Sequence, residues 1–191
     1  MTGEILLSAS VPIVGRGDYY KTADPFLIQL AVRELAILLM RSGKKLVWGG
    51  HPAITPMVWA VCEDLDVNYA ESVVLYQSRF FEDLYPEENA SFANVVFVEA
   101  EASLELSLTR MRREMISRGE IEGAVFIGGM EGLLEELALF KEMHPECPAV
   151  PVVSTGGAAA EVAARLNASD PKFASLDFVD LYIGQLGLGY Q

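Results

Sequence analysis

Residues 123–136 read Gly123-Ala124-Val125-Phe126-Ile127-Gly128-Gly129-Met130-Glu131-Gly132-Leu133-Leu134-Glu135-Glu136. Ala124 to Ile127 are apolar at successive positions, as in a strand covered on both faces. The glycine pair ends that strand, and a helix with acidic residues in its first turns follows from about residue 132 to 143. A strand, a glycine turn and a helix in immediate succession form the repeating unit of a parallel α/β sheet.

The same alternation extends in both directions from this stretch. Strands are predicted at Ile5–Ser8, Lys45–Trp48, Ser72–Tyr76, Asn94–Val98, Gly123–Ile127 and Val150–Ser154, each short and rich in branched or aromatic residues. Between them lie helical patterns. Residues 25–42 begin with Asp24 ahead of Pro25 and carry Leu27, Leu30, Ala31, Leu35 and Leu38 up to Gly43. Residues 102–118 place Leu104, Leu108, Met111 and Met115 on one stripe among arginines, and residues 157–167 form a short alanine-rich helix. The expected architecture is a single Rossmann-like domain over residues 1–191: a doubly wound, mainly parallel sheet with helices on both faces. The tail from Asp177 to Gln191 is expected to dock one short helix and then fray.

Composition bounds the partners. Asp and Glu number 27 against 14 Lys and Arg, a formal net charge of −13. No basic stripe is present to displace counterions from a phosphate backbone, so no nucleic-acid partner is expected and the expected ligand is small. No apolar run reaches membrane-spanning length, so no membrane partner is expected. The start Met1-Thr2-Gly3-Glu4 lacks the basic region of a secretory signal, and a cytoplasmic location is expected. Cys62 and Cys147 have no metal-ligand spacing around them and read as reduced thiols. Neither His51 nor His144 has companion ligands near it in sequence, so no metal and no resident cofactor are expected.

Three predicted strands run into glycine pairs: Gly49-Gly50-His51, Gly128-Gly129-Met130-Glu131-Gly132 and Thr155-Gly156-Gly157. Ligands of open α/β sheets bind outside the carboxyl ends of the strands, where all three pairs are expected to fall. Bare amides and a helix N-terminus hold an anion without a lysine, which would let so acidic a chain bind a phosphate. The loop after the first strand adds Ser8, Ser10 and Tyr20, with Asp18, as candidates to touch a ribose or stack on a base. The strict dinucleotide fingerprint and the Walker loop are both absent, which disfavours an ordinary dehydrogenase or NTPase. The segment Tyr76–Asn89 reads as a lid or a partner surface. Met57, Val58, Val61 and Leu65, with Phe80-Phe81, read either as a homo-oligomer surface or as core.

As an ordered set, Gly49-Gly50 after a strand, Arg112-Arg113 on a helix and Gly128 through Glu136 after a later strand resemble the SLOG superfamily. That superfamily includes the Lonely Guy phosphoribohydrolases and TIR-associated nucleotide-binding modules. The resemblance implies a nucleotide-derived ligand such as a nucleoside phosphate, ADP-ribose or an NAD-related molecule. It implies as the alternative an enzyme that cleaves an N-glycosidic bond, of Lonely Guy or deoxyribosyltransferase type. The family's glutamate matches Glu136 or Glu135 according to which glycine starts the count, and its arginine matches Arg112 or Arg113. Ile127 and Leu133 stand where the Lonely Guy motif has proline and threonine.

Overall fold

A computed structural model describes residues 3–65 and 72–189. Six strands, β1 (Glu4–Ser10), β2 (Lys45–Trp48), β3 (Val73–Ser78), β4 (Val95–Val98), β5 (Ile121–Gly128) and β6 (Ala149–Val152), form one sheet. Its order is β4-β3-β2-β1-β5-β6, and every neighbouring pair is parallel. The fold is therefore Rossmann-like α/β, as the alternation of apolar runs and helical patterns predicts. Each predicted strand is present, with ends displaced by at most two residues.

The described α-helices are α1 (Pro25–Arg41), α2 (Thr55–Asp64), α3 (Leu104–Ile116), α4 (Glu131–Met143), α5 (Ala159–Leu166) and α6 (Phe178–Leu186). Asp24 caps α1 by accepting from the amides of Phe26 and Leu27, with Pro25 in the first turn. The alternation of side chains along a strand sorts the core into two layers. Leu46 and Trp48 of β2 join Leu35, Val58 and Phe178 on the side of α1, α2 and α6. Val47, between them, joins Met115, Leu137 and Val162 on the side of α3, α4 and α5.

Val58 and Val61 of α2 are buried, and Met57 and Leu65 pack against the same cluster, so that apolar face belongs to the core. The predicted tail forms α6, whose Tyr182 hydroxyl donates to the Ala31 carbonyl at 2.9 Å. Its last two positions, 190–191, lie outside the described residues. No described helix is long and apolar enough to cross a membrane.

The sheet order places the site. From β1 the chain winds outward through β2 and β3 to β4, then α3 carries it back across to β5 on the other side of β1. The two helices flanking this reversal diverge, leaving a crevice at the carboxyl ends of β1, β2 and β5.

Candidate functional site

The crevice is a cavity of about 980 Å³, the size of a small-molecule site. Its floor comes from Ser10, Trp48 and Gln77 at the strand ends. Gly49, Gly50 and His51 form one wall, and the first turns of α4, from Met130 to Glu136, form another. Leu108, Met111 and Arg112 enter from α3. Phe81 and Tyr85 come from the turns after β3, within the segment expected to be a lid or a partner surface, and line the cavity.

Gly50 is required by its backbone as well as by space. Its φ is +71°, and a Cβ would fall 2.1 Å from the Gln77 amide nitrogen. That amide donates to the Gly49 carbonyl at 3.2 Å, tying the turn to β3. The His51 Nδ1 accepts from the Ala53 amide at 3.2 Å, which leaves the ring proton on Nε2. Burial, helped by the nearby Arg16 charge, holds the His51 pKa below its ordinary value, so the ring favours its neutral form.

Three carboxylates gather at the start of α4. Met130, at the N-cap, supplies no side-chain hydrogen bond, so the positive end of this helix is left without a protein cap. Arg112 donates through Nε to Glu136 at 3.3 Å and through Nη1 to Glu135. Gly132 makes room for this pairing, since a Cβ there would lie 2.6 Å from Arg112 Nη2. The Glu136 side chain is 15% exposed and that of Glu135 58%. Burial raises the Glu136 pKa above the ordinary carboxylate value, against the opposing pull of Arg112. The Ser8 hydroxyl sits beneath it and favours its ionised form, yet it is buried without a hydrogen bond of good geometry to any group among the described residues.

The structure thus separates the paired candidates. Arg112, Glu135 and Glu136 line the cavity together. Arg113 is exposed, turned away by the 100° that one residue adds along a helix, and does not line the cavity. Glu131 reaches the cavity too, with its carboxylate close to Gly17 of the loop after β1.

The third glycine turn is used differently from its prediction as a phosphate cradle. Thr155 is fully buried, and its hydroxyl donates to the Val152 carbonyl at 2.6 Å and accepts from the Gly128 amide at 2.9 Å. The Gly157 amide donates to the Thr22 hydroxyl, and the Ala158 amide to the Gly129 carbonyl. Gly156 packs against the Thr22 backbone. Thr155, Gly156 and Gly157 therefore close the fold behind the cavity and do not line it. Gly128 and Gly129 belong to the same packing, the Gly129 amide donating to the Ser10 carbonyl at 2.8 Å. Tyr20 also lies off the cavity, with Lys21 over its ring.

Sequence reasoning missed Arg16 and Gln77 as lining residues. The signal for Arg16 was its place between Gly15 and Gly17, in a loop that must overhang the crevice; Gln77 stood out only as a polar residue ending an apolar strand. Among the described residues no group of three or more His, Cys, Asp or Glu is placed to hold a metal ion.

Comparison with known proteins gives two findings. The model of the SLOG cluster3 family matches residues 18–186. The X-ray structure of TM1055, a structural-genomics target, is similar in fold, with a TM-score of 0.58 at 15% identity over 86% of this chain and 81% of that one. No curated protein matches the chain.

Proposed function

The chain belongs to the SLOG cluster3 family, and from that premise we propose that the cavity binds a nucleotide or nucleotide-derived ligand. The observation that carries this reading is the uncapped N-terminus of α4 opening on a cavity of about 980 Å³ at the reversal of strand order. Helix amides and Gly50 offer a close approach to an anionic or ribose group. Phe81, Tyr85 and Leu108 offer an apolar surface for a heterocycle. The ligand classes that fit are nucleoside phosphates, ADP-ribose and NAD-related molecules.

The test is thermal denaturation with AMP, NAD, ADP-ribose and cyclic dinucleotides. A ligand present at a hundred times its Kd stabilises by about 2.7 kcal/mol, a rise of roughly 5–10 °C for a chain of this size. A flat response to every member contradicts the reading.

A second reading, cleavage of an N-glycosidic bond, is favoured by Glu136, a largely buried carboxylate in the cavity wall held by Arg112. Such a group stabilises positive charge on the anomeric carbon as the bond to the base breaks. The base leaves with a proton from water, and the sugar carbon gains the hydroxyl. Incubation with nucleoside monophosphates or NAD should then release free base, and Glu136→Gln should suppress release. An absence of free base from every substrate removes this second reading and leaves the first standing.

A further inference from the structure

Two arginines line the cavity, and they stand in opposite states. Arg112 is committed to two carboxylates, and its side chain is only 12% exposed. A ligand anion that took this guanidinium would have to displace Glu135 and approach Glu136, and both would repel it. Arg16 reaches the cavity from the loop after β1 and forms no hydrogen bond through its side chain and no ion pair among the described residues. In a chain where acids outnumber Lys and Arg 27 to 14, a guanidinium facing a cavity without a carboxylate partner is conspicuous. Gly15 and Gly17 flank it with φ of +93° and +72°, and nothing lies within 4 Å of the space a Gly15 Cβ would fill.

His51 lines the same cavity. Its Nδ1 is occupied by the Ala53 amide, and its Nε2–H has no hydrogen-bond partner among the described residues. Arg16 and His51 line the same cavity, and the Arg16 charge adds to burial in lowering the His51 pKa. A cationic donor and a neutral N–H donor, both unused, are what a phosphate oxygen pair needs.

We propose that Arg16 and the Nε2–H of His51 form the anion subsite of the cavity, and that Arg112 is a positioning residue that holds Glu136 and Glu135. The assignment rests on the nucleotide-ligand reading above and names which end of the cavity receives the phosphate. The sugar then lies between that end and the carboxylates at the start of α4. Arg16 is thereby the residue that distinguishes a nucleotide from its nucleoside.

The test is calorimetric titration of the full chain with AMP, GMP, CMP and UMP, each beside its nucleoside, for the unsubstituted chain and for Arg16→Gln, Arg16→Lys and Arg112→Gln. The quantity read is the ratio of nucleoside Kd to nucleotide Kd. Arg16→Gln should reduce that ratio by about tenfold to a hundredfold, as expected for lost hydrogen bonds to a charged group. Arg16→Lys should recover part of it, and Arg112→Gln should leave it within about twofold. Because Arg112→Gln strips Glu136 of its cation, the double variant Arg112→Gln, Glu136→Gln serves the same purpose if the single one does not fold. A ratio unchanged in Arg16→Gln but lost in Arg112→Gln overturns the assignment and leaves ligand binding intact. If none of these nucleotides or nucleosides binds the unsubstituted chain, this assignment falls, whereas the ligand reading falls only if NAD, ADP-ribose and the cyclic dinucleotides also leave the melting temperature unchanged.

Discussion

The turn that opens α4 and the turn that opens α5 look alike as sequence, each a strand running into two glycines and then a helix, but they do opposite work. At α4 the N-cap residue Met130 offers no side-chain bond, and the helix end faces the cavity beside Arg112, Glu135 and Glu136. At α5 the amides of Gly157 and Ala158 are already bonded to Thr22 and Gly129, and Thr155 is buried beneath them. A glycine pair marks a place where backbones come close. At α4 the glycine pair itself packs on Ser10 and on the Gly157-Ala158 turn, and the chain opens onto the crevice only from Met130 onward; at α5 the Thr22-Ala23 backbone closes the corresponding space.

If that contrast is right, substitutions at the two turns should fail in different ways. The largest effect belongs to Gly156→Ala. The residue sits at φ 67°, ψ −152°, a region open essentially to glycine alone, and the new Cβ would fall 1.9 Å from the Thr22 carbonyl oxygen. Backbone cannot yield as a side chain does, so the loss should be on the order of 4 kcal/mol. The melting temperature should fall by about 10 °C, and a change of only a degree or two would show that the turn is looser than described.

Next in size is Thr155→Val, which keeps the volume but leaves the Gly128 amide and the Val152 carbonyl without their partner. Denaturant titration should register a loss of about 2 kcal/mol. An unchanged midpoint would mean that water replaces the hydroxyl and that the turn is not closed.

Gly132→Ala separates the two turns most sharply. Its Cβ would meet only the end of the Arg112 side chain, which can move, so stability should change by less than about 1 kcal/mol. Ligand affinity should nevertheless drop about tenfold, because Arg112 and both carboxylates must shift with it. Destabilisation on the scale of Gly156→Ala would erase the distinction between a site turn and a packing turn.

The smallest effect is a pH-dependent one at Glu136. Burial raises its pKa in the folded chain, so the folded state binds this proton more tightly than the unfolded state does. Its contribution to stability is complete below the ordinary glutamate value, about 4.3, and is lost as pH rises through the raised folded value. Glu136→Gln should therefore raise the melting temperature at neutral pH, with the gain shrinking as the solution is acidified. A gain that grows toward acid would reverse the sign of the shift.

How much of this was legible in the sequence follows the range of the interactions. Apolar runs such as Val73-Val74-Leu75 and the Asp24-Pro25 helix start act locally, and they located the strands and α1. The choice between Arg112 and Arg113 was also present in the helical period, because Arg112 stands four residues after Leu108 and three before Met115 on the inward stripe. The closure of the Thr155 turn was not legible, since it depends on Thr22, more than 130 residues earlier in the chain. Nor was the cavity's aromatic wall, which exists because the turns after β3 fold back over the strand ends, where the Tyr85 hydroxyl donates to the Ser78 carbonyl. Nor could the sequence choose between core and partner surface for Met57, Val58, Val61 and Leu65, because a helix stripe records that it is covered but not by what; the fold packs it on the core.

The most direct test of the account is a crystal structure of the chain grown with the nucleotide that raises its melting temperature most. The account predicts that molecule in the cavity, spanning from the Gly50 turn and Arg16 to the first turn of α4. A ligand seated on the Thr155-Gly156-Gly157 turn, or bound elsewhere while the cavity stays empty, would contradict it.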